Sequence, residues 1–451
     1  MTGHAVTSVR KFAARIDAAT PPHRDRTVDA LRALAIMGVI LGHWLVTALV
    51  LTHGRTGTTT ADQSPLAAMP ALTPVSWIFQ TLAIFFLVGG YAAARSYSGG
   101  YAAWVRKRLV RLSRPVAALA AAWTLLGTGL YLGGVSGSTL RTVLTLVLDP
   151  LWFLGVFVVL TALTPLAVAL VRRLGAWAAS IPLFVVASVD LVRFGLGGPS
   201  WVGWINVLAG WMVPYLLGIA WARGAFRGWK VPALMLAGGV AATAALVVWG
   251  GYPASMVGVN GARISNLNPP TLAVVAFGVA QVGLALLLRP LLARWMRRPV
   301  AWAAVAMANL SAMTLFLWHQ TAFLAVTMGG LLIGRLPGLH TAPVGYLWVA
   351  ERLAWLPVFA VALAVLWFVF RHAERTPRPK AGPANRNAPG PQRASSRRPG
   401  RAEYHRGPGP GTLPNAESTS PGEVDAGPEY SHRPGAVHPC RVVRAGRTRS
   451  Y

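Results

Sequence analysis

Arg32 and His43 stand eleven residues apart in the apolar run "VDALRALAIMGVILGHWLVTALVL". On a helix, eleven residues turn through about 1100°, about 20° past three full turns, and rise ~16 Å. Both side chains therefore share one face, Arg32 near one mouth of the membrane and His43 past mid-depth, and they outline one polar path into a bundle. Ionisable groups inside an apolar span are costly and mark function by default. An imidazole can take the proton of an attacking hydroxyl, and a guanidinium can hold phosphate bidentately. The bland reading of the same residues is a snorkelling arginine and a hydrogen-bonded packing histidine, with Asp29 and Arg32 (i, i+3) as ordinary helix-start electrostatics.

Three further groups carry chemistry. His319, in "LSAMTLFLWHQTAF", is a second intramembrane histidine at a depth comparable to His43, either supporting the same cavity or packing in the core. Arg108, Arg111 and Arg114 recur every three residues in "YAAWVRKRLVRLSRP", a cluster suited to phosphate or to anchoring beside anionic lipid. Asp149, Asp190 and Glu351 fall at the opposite boundary with Arg141, Arg193, Arg335 and Arg352 nearby. These acids form interfacial salt bridges or help to bind a polar acceptor.

The elements that position these residues are membrane spans. Of 451 residues, 54% are hydrophobic and 12% charged, about half the charged share of a soluble domain. That excludes an ordinary cytosolic enzyme. Segments near 28–51, 73–95, 115–134, 145–171, 178–195, 202–222, 231–250, 270–289, 302–333 and 345–371 are long and apolar enough to span. An all-α polytopic bundle of about ten transmembrane helices is expected. With the N-terminus inside, alternate loops hold twenty basic residues on the inner side and five on the outer. This asymmetry orients a multi-pass protein of the inner (plasma) membrane with cytoplasmic termini. The formal charge of +29 is then topological, and nucleic-acid binding is not expected.

Residues 1–27 are basic (Arg10, Lys11, Arg15, Arg24, Arg26) and read as disordered apart from a short amphipathic stretch, with no cleavable signal peptide. Residues 28–371 form the membrane domain. Residues 372–451 are rich in Pro, Gly and Arg and read as a disordered cytoplasmic tail. The only cysteine, Cys440, lies in that tail, so no disulfide within one chain is possible. Gly89-Gly90 and Gly133-Gly134 read as close helix packing rather than phosphate loops.

Over roughly residues 26–371 the chain resembles the integral-membrane acyltransferase family 3, which includes sugar and polysaccharide O-acyltransferases. The resemblance rests on "RTVDALRALAIMGVILGH" with its Arg-x10-His (Arg32, His43), on "FFLVGGYAAA" (85–94), and on the Arg-x-x-Arg of Arg108 and Arg111. It continues through "DPLWFLGVFVVLTALTP" (149–165) and "LSAMTLFLWHQ" (310–320). Ala30 replaces a common glycine and Gly89 the usual serine of Ser-Gly-Tyr. The resemblance implies transfer from acyl-coenzyme A as co-substrate, with no permanently bound cofactor and no metal. His43 would be catalytic. Arg32, Arg108, Arg111 and Arg114 would engage the donor, and Asp29, Asp149, Trp152 and His319 would support the site.

The expected function is a membrane acyltransferase placing an acetyl or other short acyl group on a hydroxyl of a carbohydrate or related acceptor, with His43 as general base. The partners are then acyl-CoA, a hydroxylated acceptor (glycan, glycolipid or small molecule) and the lipid bilayer. The rival is a transporter or flippase using the same polar stripe as a translocation path, although the paired Gly/Pro-broken segments of repeat-built transporters are lacking. A third reading is a non-catalytic scaffold that recruits partners through the basic tail.

Overall fold

The computed structural model describes residues 2–54, 57–98, 100–259 and 261–374. In chain order, helices α1 (Thr2–Ala18) and α2 (Arg26–Val46) precede a hairpin, β1 (Ala48–Gly54) with β2 (Gly57–Gln63). Two single turns, α3 (Pro65–Ala68) and α4 (Thr73–Ser76), lead to α5 (Leu82–Ser96) and α6 (Tyr101–Leu132). Then come α7 (Gly137–Leu148), α8 (Leu151–Ala162), α9 (Thr164–Leu174), α10 (Ser180–Asp190), α11 (Ile205–Ala222) and α12 (Lys230–Val248). The chain continues through α13 (Leu272–Trp295), α14 (Pro299–Leu310), α15 (Ala312–Gly330) and α16 (Gly345–Phe370).

The fold is a polytopic helical bundle, as expected, with eight or nine candidate spans against about ten, several of them broken. Among the described residues eight helical stretches are long and apolar enough to cross a membrane, and a ninth is the α14–α15 pair, bent by 74°. Each break has a local cause. The first expected span stops at Val46 rather than 51, because Thr47 turns extended and Ala48–Gly54 pairs antiparallel with Gly57–Gln63. After the single turn α4, the 73–95 segment becomes helical again only at Leu82, whose N–H is taken by Gln80 Oε1 at 3.3 Å, a side chain standing in for a helical carbonyl. The 145–171 segment divides at Pro150 and at Thr164-Pro165, where proline supplies no N–H and begins a new helix.

α2 begins at a satisfied cap: Asp25 Oδ1 accepts from the N–H groups of Thr27 (3.0 Å) and Val28 (3.4 Å). α5 crosses α11 with backbones in contact. A Cβ at Gly90 would overlap the Tyr215 carbonyl, and one at Gly218 the Leu87 carbonyl. This is the small-residue approach expected of Gly89-Gly90. Gly133-Gly134 does something else, ending α6 with Gly134 at φ +82°. The core beneath the site is aromatic: Phe86 stacks on Trp211 (5.2 Å) and meets Phe153 edge-on (5.2 Å), and Phe153 reaches Phe316 (5.4 Å).

Most of the N-terminal segment expected to lack order is helical. α1 buries Ala13 and packs Ile16 on the cluster of Trp302 and Val305. Trp302 Nε1 donates to Thr20 Oγ1 at 2.7 Å, and the guanidinium groups of Arg24 and Arg26 lie over its ring at 5.5 and 4.9 Å. Of the expected tail, residues 375–451, Cys440 included, lie outside the described residues.

Candidate functional site

His43 sits one turn before the end of α2, and His319 lies fully buried on α15. Their rings are 4.9 Å apart, with His319 Nε2 at 3.2 Å from His43 Nδ1. Backbone carbonyls assign the protons. His319 Nδ1 faces the Phe316 carbonyl, where only an N–H is favourable, so its Nε2 is left as an acceptor. His43 Nδ1 lies 3.0 Å from the Val39 carbonyl and thus faces two acceptors. It must carry the proton, which leaves the lone pair on His43 Nε2. Trp44 Nε1 donates to the His319 carbonyl at 3.0 Å, tying α2 to α15.

His43 lines a cavity of about 540 Å³. Asp149 and Trp152, at the α7–α8 junction, line the same cavity, with Phe153, Gln320 and Asn268. Asp149 interacts electrostatically with His43. Gln320 lines the cavity as well, and its buried Oε1 lacks a hydrogen-bond partner among the described residues.

The arginines gather elsewhere. Arg32 interacts electrostatically with Arg111, and Arg108 with both Arg32 and Arg111. Arg108 lies over the Trp104 ring at 4.4 Å and donates to Ser96 Oγ. Arg111 and Arg114 are exposed. Asp29 belongs to this end: it takes Arg24 Nε at 2.5 Å and faces Arg32 Nη1 at 3.7 Å. None of Arg32, Arg108, Arg111 and Arg114 lines the His43 cavity. Ile36 and Val39 occupy the α2 stripe between Arg32 and His43, at about 40° and −20° from Arg32. The single polar path expected from the spacing is thus two polar sites at the ends of one stripe, with apolar side chains between.

The acids Asp149 and Asp190 divide as well. Asp190 is satisfied by Asn206 Nδ2 (3.0 Å), Tyr252 Oη (3.0 Å) and the Leu272 N–H (2.7 Å), with Arg193 at 3.8 Å, so it pins helices together. Burial and that carboxylate push the Tyr252 phenol above its ordinary range, which keeps it a donor. Arg352 turns inward rather than bridging an acid: it is fully buried and donates to the Thr47 carbonyl.

Sequence reasoning passed over several partners. Tyr91 donates to Asp25 Oδ2 at 3.2 Å, and Arg289 lies 3.7 Å from the same carboxylate. Tyr91 follows the Gly-Gly pair and was visible as part of that motif, whereas Arg289 counted only as loop charge. Gln320, beside His319, carried no spacing signal at all.

A family model of an acyltransferase domain matches residues 25–371. No curated protein and no solved structure matches the chain.

Proposed function

Because the chain belongs to the integral-membrane acyltransferase family over residues 25–371, we propose that it transfers a short acyl group, such as acetyl, from acyl-coenzyme A to a hydroxyl of a carbohydrate or related acceptor. His43 Nε2 is the general base. The observation that carries this reading is the His43–His319 pair, in which Nδ1 of His43 faces two acceptors and so leaves Nε2 as the free lone pair of a residue that lines a cavity large enough for a sugar.

In the step, the acceptor hydroxyl gives its proton to His43 Nε2 as its oxygen bonds to the thioester carbonyl carbon. The carbon–sulfur bond then breaks, and the departing coenzyme A thiolate takes that proton from the imidazolium. Free thiol and ester are the products. While His43 is charged, its Nδ1–H donates to the Val39 carbonyl and to His319 Nε2, and the Asp149 carboxylate supplies an opposing field. His319 is a positioning residue here, holding the ring and its tautomer.

On the donor side, Arg32, Arg108 and Arg111 offer positive charge without a matching carboxylate for each, which suits coenzyme A phosphates. The ~16 Å rise from Arg32 to His43, along the apolar side chains of Ile36 and Val39, is the span that the pantetheine arm and thioester would have to cover. That stretch favours an acyl donor over the transporter reading, since a polar solute in transit needs a continuous polar lining. The basic inner loops support a plasma-membrane orientation with the termini and donor cytoplasmic and the acceptor on the outer face.

The test uses the full-length protein in nanodiscs, with thiol release and acyl incorporation measured over a panel of hydroxylated acceptors. His43→Ala should fold and lose about 10²–10⁴-fold in turnover. Unchanged turnover in that variant rejects the catalytic assignment, and solute flux without acyl-coenzyme A consumption favours the transporter.

A further inference from the structure

α7 has two faces. Val143, Leu146 and Val147 are buried against the bundle. Beside that face Gly137, Leu140, Leu144 and Leu148 recur at three- and four-residue steps and line an open groove, with Leu140 and Leu144 half-buried and Leu148 44% exposed. The groove is continuous with the His43 cavity, because Arg141, Thr145, Asp149 and Trp152 line both. One end is therefore leucine-lined and open. The other end is polar and holds the imidazole.

We propose that this groove receives the hydrocarbon tail of an amphiphilic, lipid-linked acceptor whose hydroxyl-bearing headgroup occupies the His43 cavity. The proposal rests on the reading of that cavity as the acceptor site and narrows it. A water-soluble sugar gains nothing from a row of partly exposed leucines. An alkyl or prenyl tail entering from the bilayer keeps an apolar environment throughout and carries its headgroup past Arg141 and Asp149 to His43. The shared boundary residues set the depth: a guanidinium, a carboxylate and an indole stand where tail gives way to headgroup, the placement that amphipathic side chains favour at membrane interfaces.

The experiment has a binding arm that needs no turnover and a transfer arm. In the first, the full-length protein in nanodiscs is photolabelled with an alkyl glucoside carrying a diazirine on its tail, and the labelled peptides are mapped. Label is expected on the Gly137–Trp152 region, displaced by dodecyl glucoside but not by methyl glucoside. Leu144→Trp and, separately, Leu140→Trp fill the groove and should each reduce this label at least tenfold while thermal unfolding stays in place. His43→Ala should keep the label and lose acyl transfer, so failure of the catalytic reading is distinct from failure of the groove. In the transfer arm, Leu144→Trp should raise the KM of dodecyl glucoside, expressed as its concentration in the bilayer, several-fold and leave that of methyl glucoside unchanged. Label spread evenly over the lipid-facing helices, crosslinks between two copies, displacement by methyl glucoside, or label unmoved by both tryptophan variants would overturn the proposal.

Discussion

Nε2 of His319 lies 3.2 Å from Nδ1 of His43, and a backbone carbonyl on each helix fixes the direction of that hydrogen bond. A buried neutral imidazole thus takes the orienting place that a carboxylate often fills beside a catalytic histidine. Its own ring is held by the Phe316 carbonyl and by packing on the Phe316 ring at 5.9 Å.

His319→Phe keeps an aromatic ring and removes the acceptor. The lost bond is neutral in the resting pair and charge-assisted once His43 is protonated, a difference worth about 1.5 kcal/mol or somewhat more. Turnover should therefore fall about tenfold to a hundredfold with acceptor KM little changed. His319→Gln, which can present an amide oxygen, should recover part of the loss. Parallel kinetics on the two variants check this, and equal defects would reduce His319 to a packing residue.

Arg108 should behave as a donor-binding residue, and a bidentate one. Arg108→Lys keeps the charge but loses the fork and the stacking on Trp104. Acyl-coenzyme A KM should rise about tenfold with turnover at saturation unchanged. Titrating the donor at fixed acceptor measures the split. A fall in saturated turnover with unchanged KM would remove the arginine cluster from donor binding.

How much of this was legible before the structure depended on the range of the interaction. The Arg32–His43 stripe follows from helical periodicity alone, and both residues do lie on α2. Arg108 and Arg111 announced themselves through spacing on one helix, whereas only the family resemblance joined them to Arg32, with which both interact electrostatically. The helix breaks were harder. Pro150 and Pro165 are visible in the chain, but hydropathy windows average across them. The start of α5 depends on the Gln80 side chain, a local rescue that no periodicity encodes. The docking of α1 depends on Trp302, far away in sequence. The discontinuity between the arginines and the His43 cavity comes from Ile36 and Val39, whose apolarity had counted only as evidence for a span.

Gly218 tests the packing that holds this frame. A Cβ there would overlap the Leu87 carbonyl and crowd the Tyr91 backbone nitrogen, so the two helices would have to separate. Gly218→Ala should cost about 1–3 kcal/mol and lower thermal stability in detergent. Gly155 on α8 has open space around its would-be Cβ, and Gly155→Ala should leave stability within about 0.5 kcal/mol. Melting curves of the two variants side by side decide the matter. Equal stability would mean that the α5–α11 approach is looser than drawn.

Arg352 separates stability from activity. Its guanidinium is buried under the rings of Phe323 (5.2 Å), Trp348 (5.1 Å) and Phe359 (5.5 Å), and it donates to the Thr47 carbonyl at the end of α2. Nε and Nη1 have no hydrogen-bond partner among the described residues. Such a cation adds little to net stability, because an apolar side chain of similar size avoids its desolvation. What it does supply is a donor and a positive charge at the C-terminal end of the helix carrying His43, one turn earlier. Arg352→Met should therefore leave the melting temperature unchanged or raised, yet lower saturated turnover about tenfold as the end of α2 loosens. Arg352→Lys should restore part of the turnover through its charge. Thermal melting read together with turnover and KM on both variants tests this, and a large loss of stability in Arg352→Met with normal turnover per folded molecule would show that the guanidinium serves the fold alone.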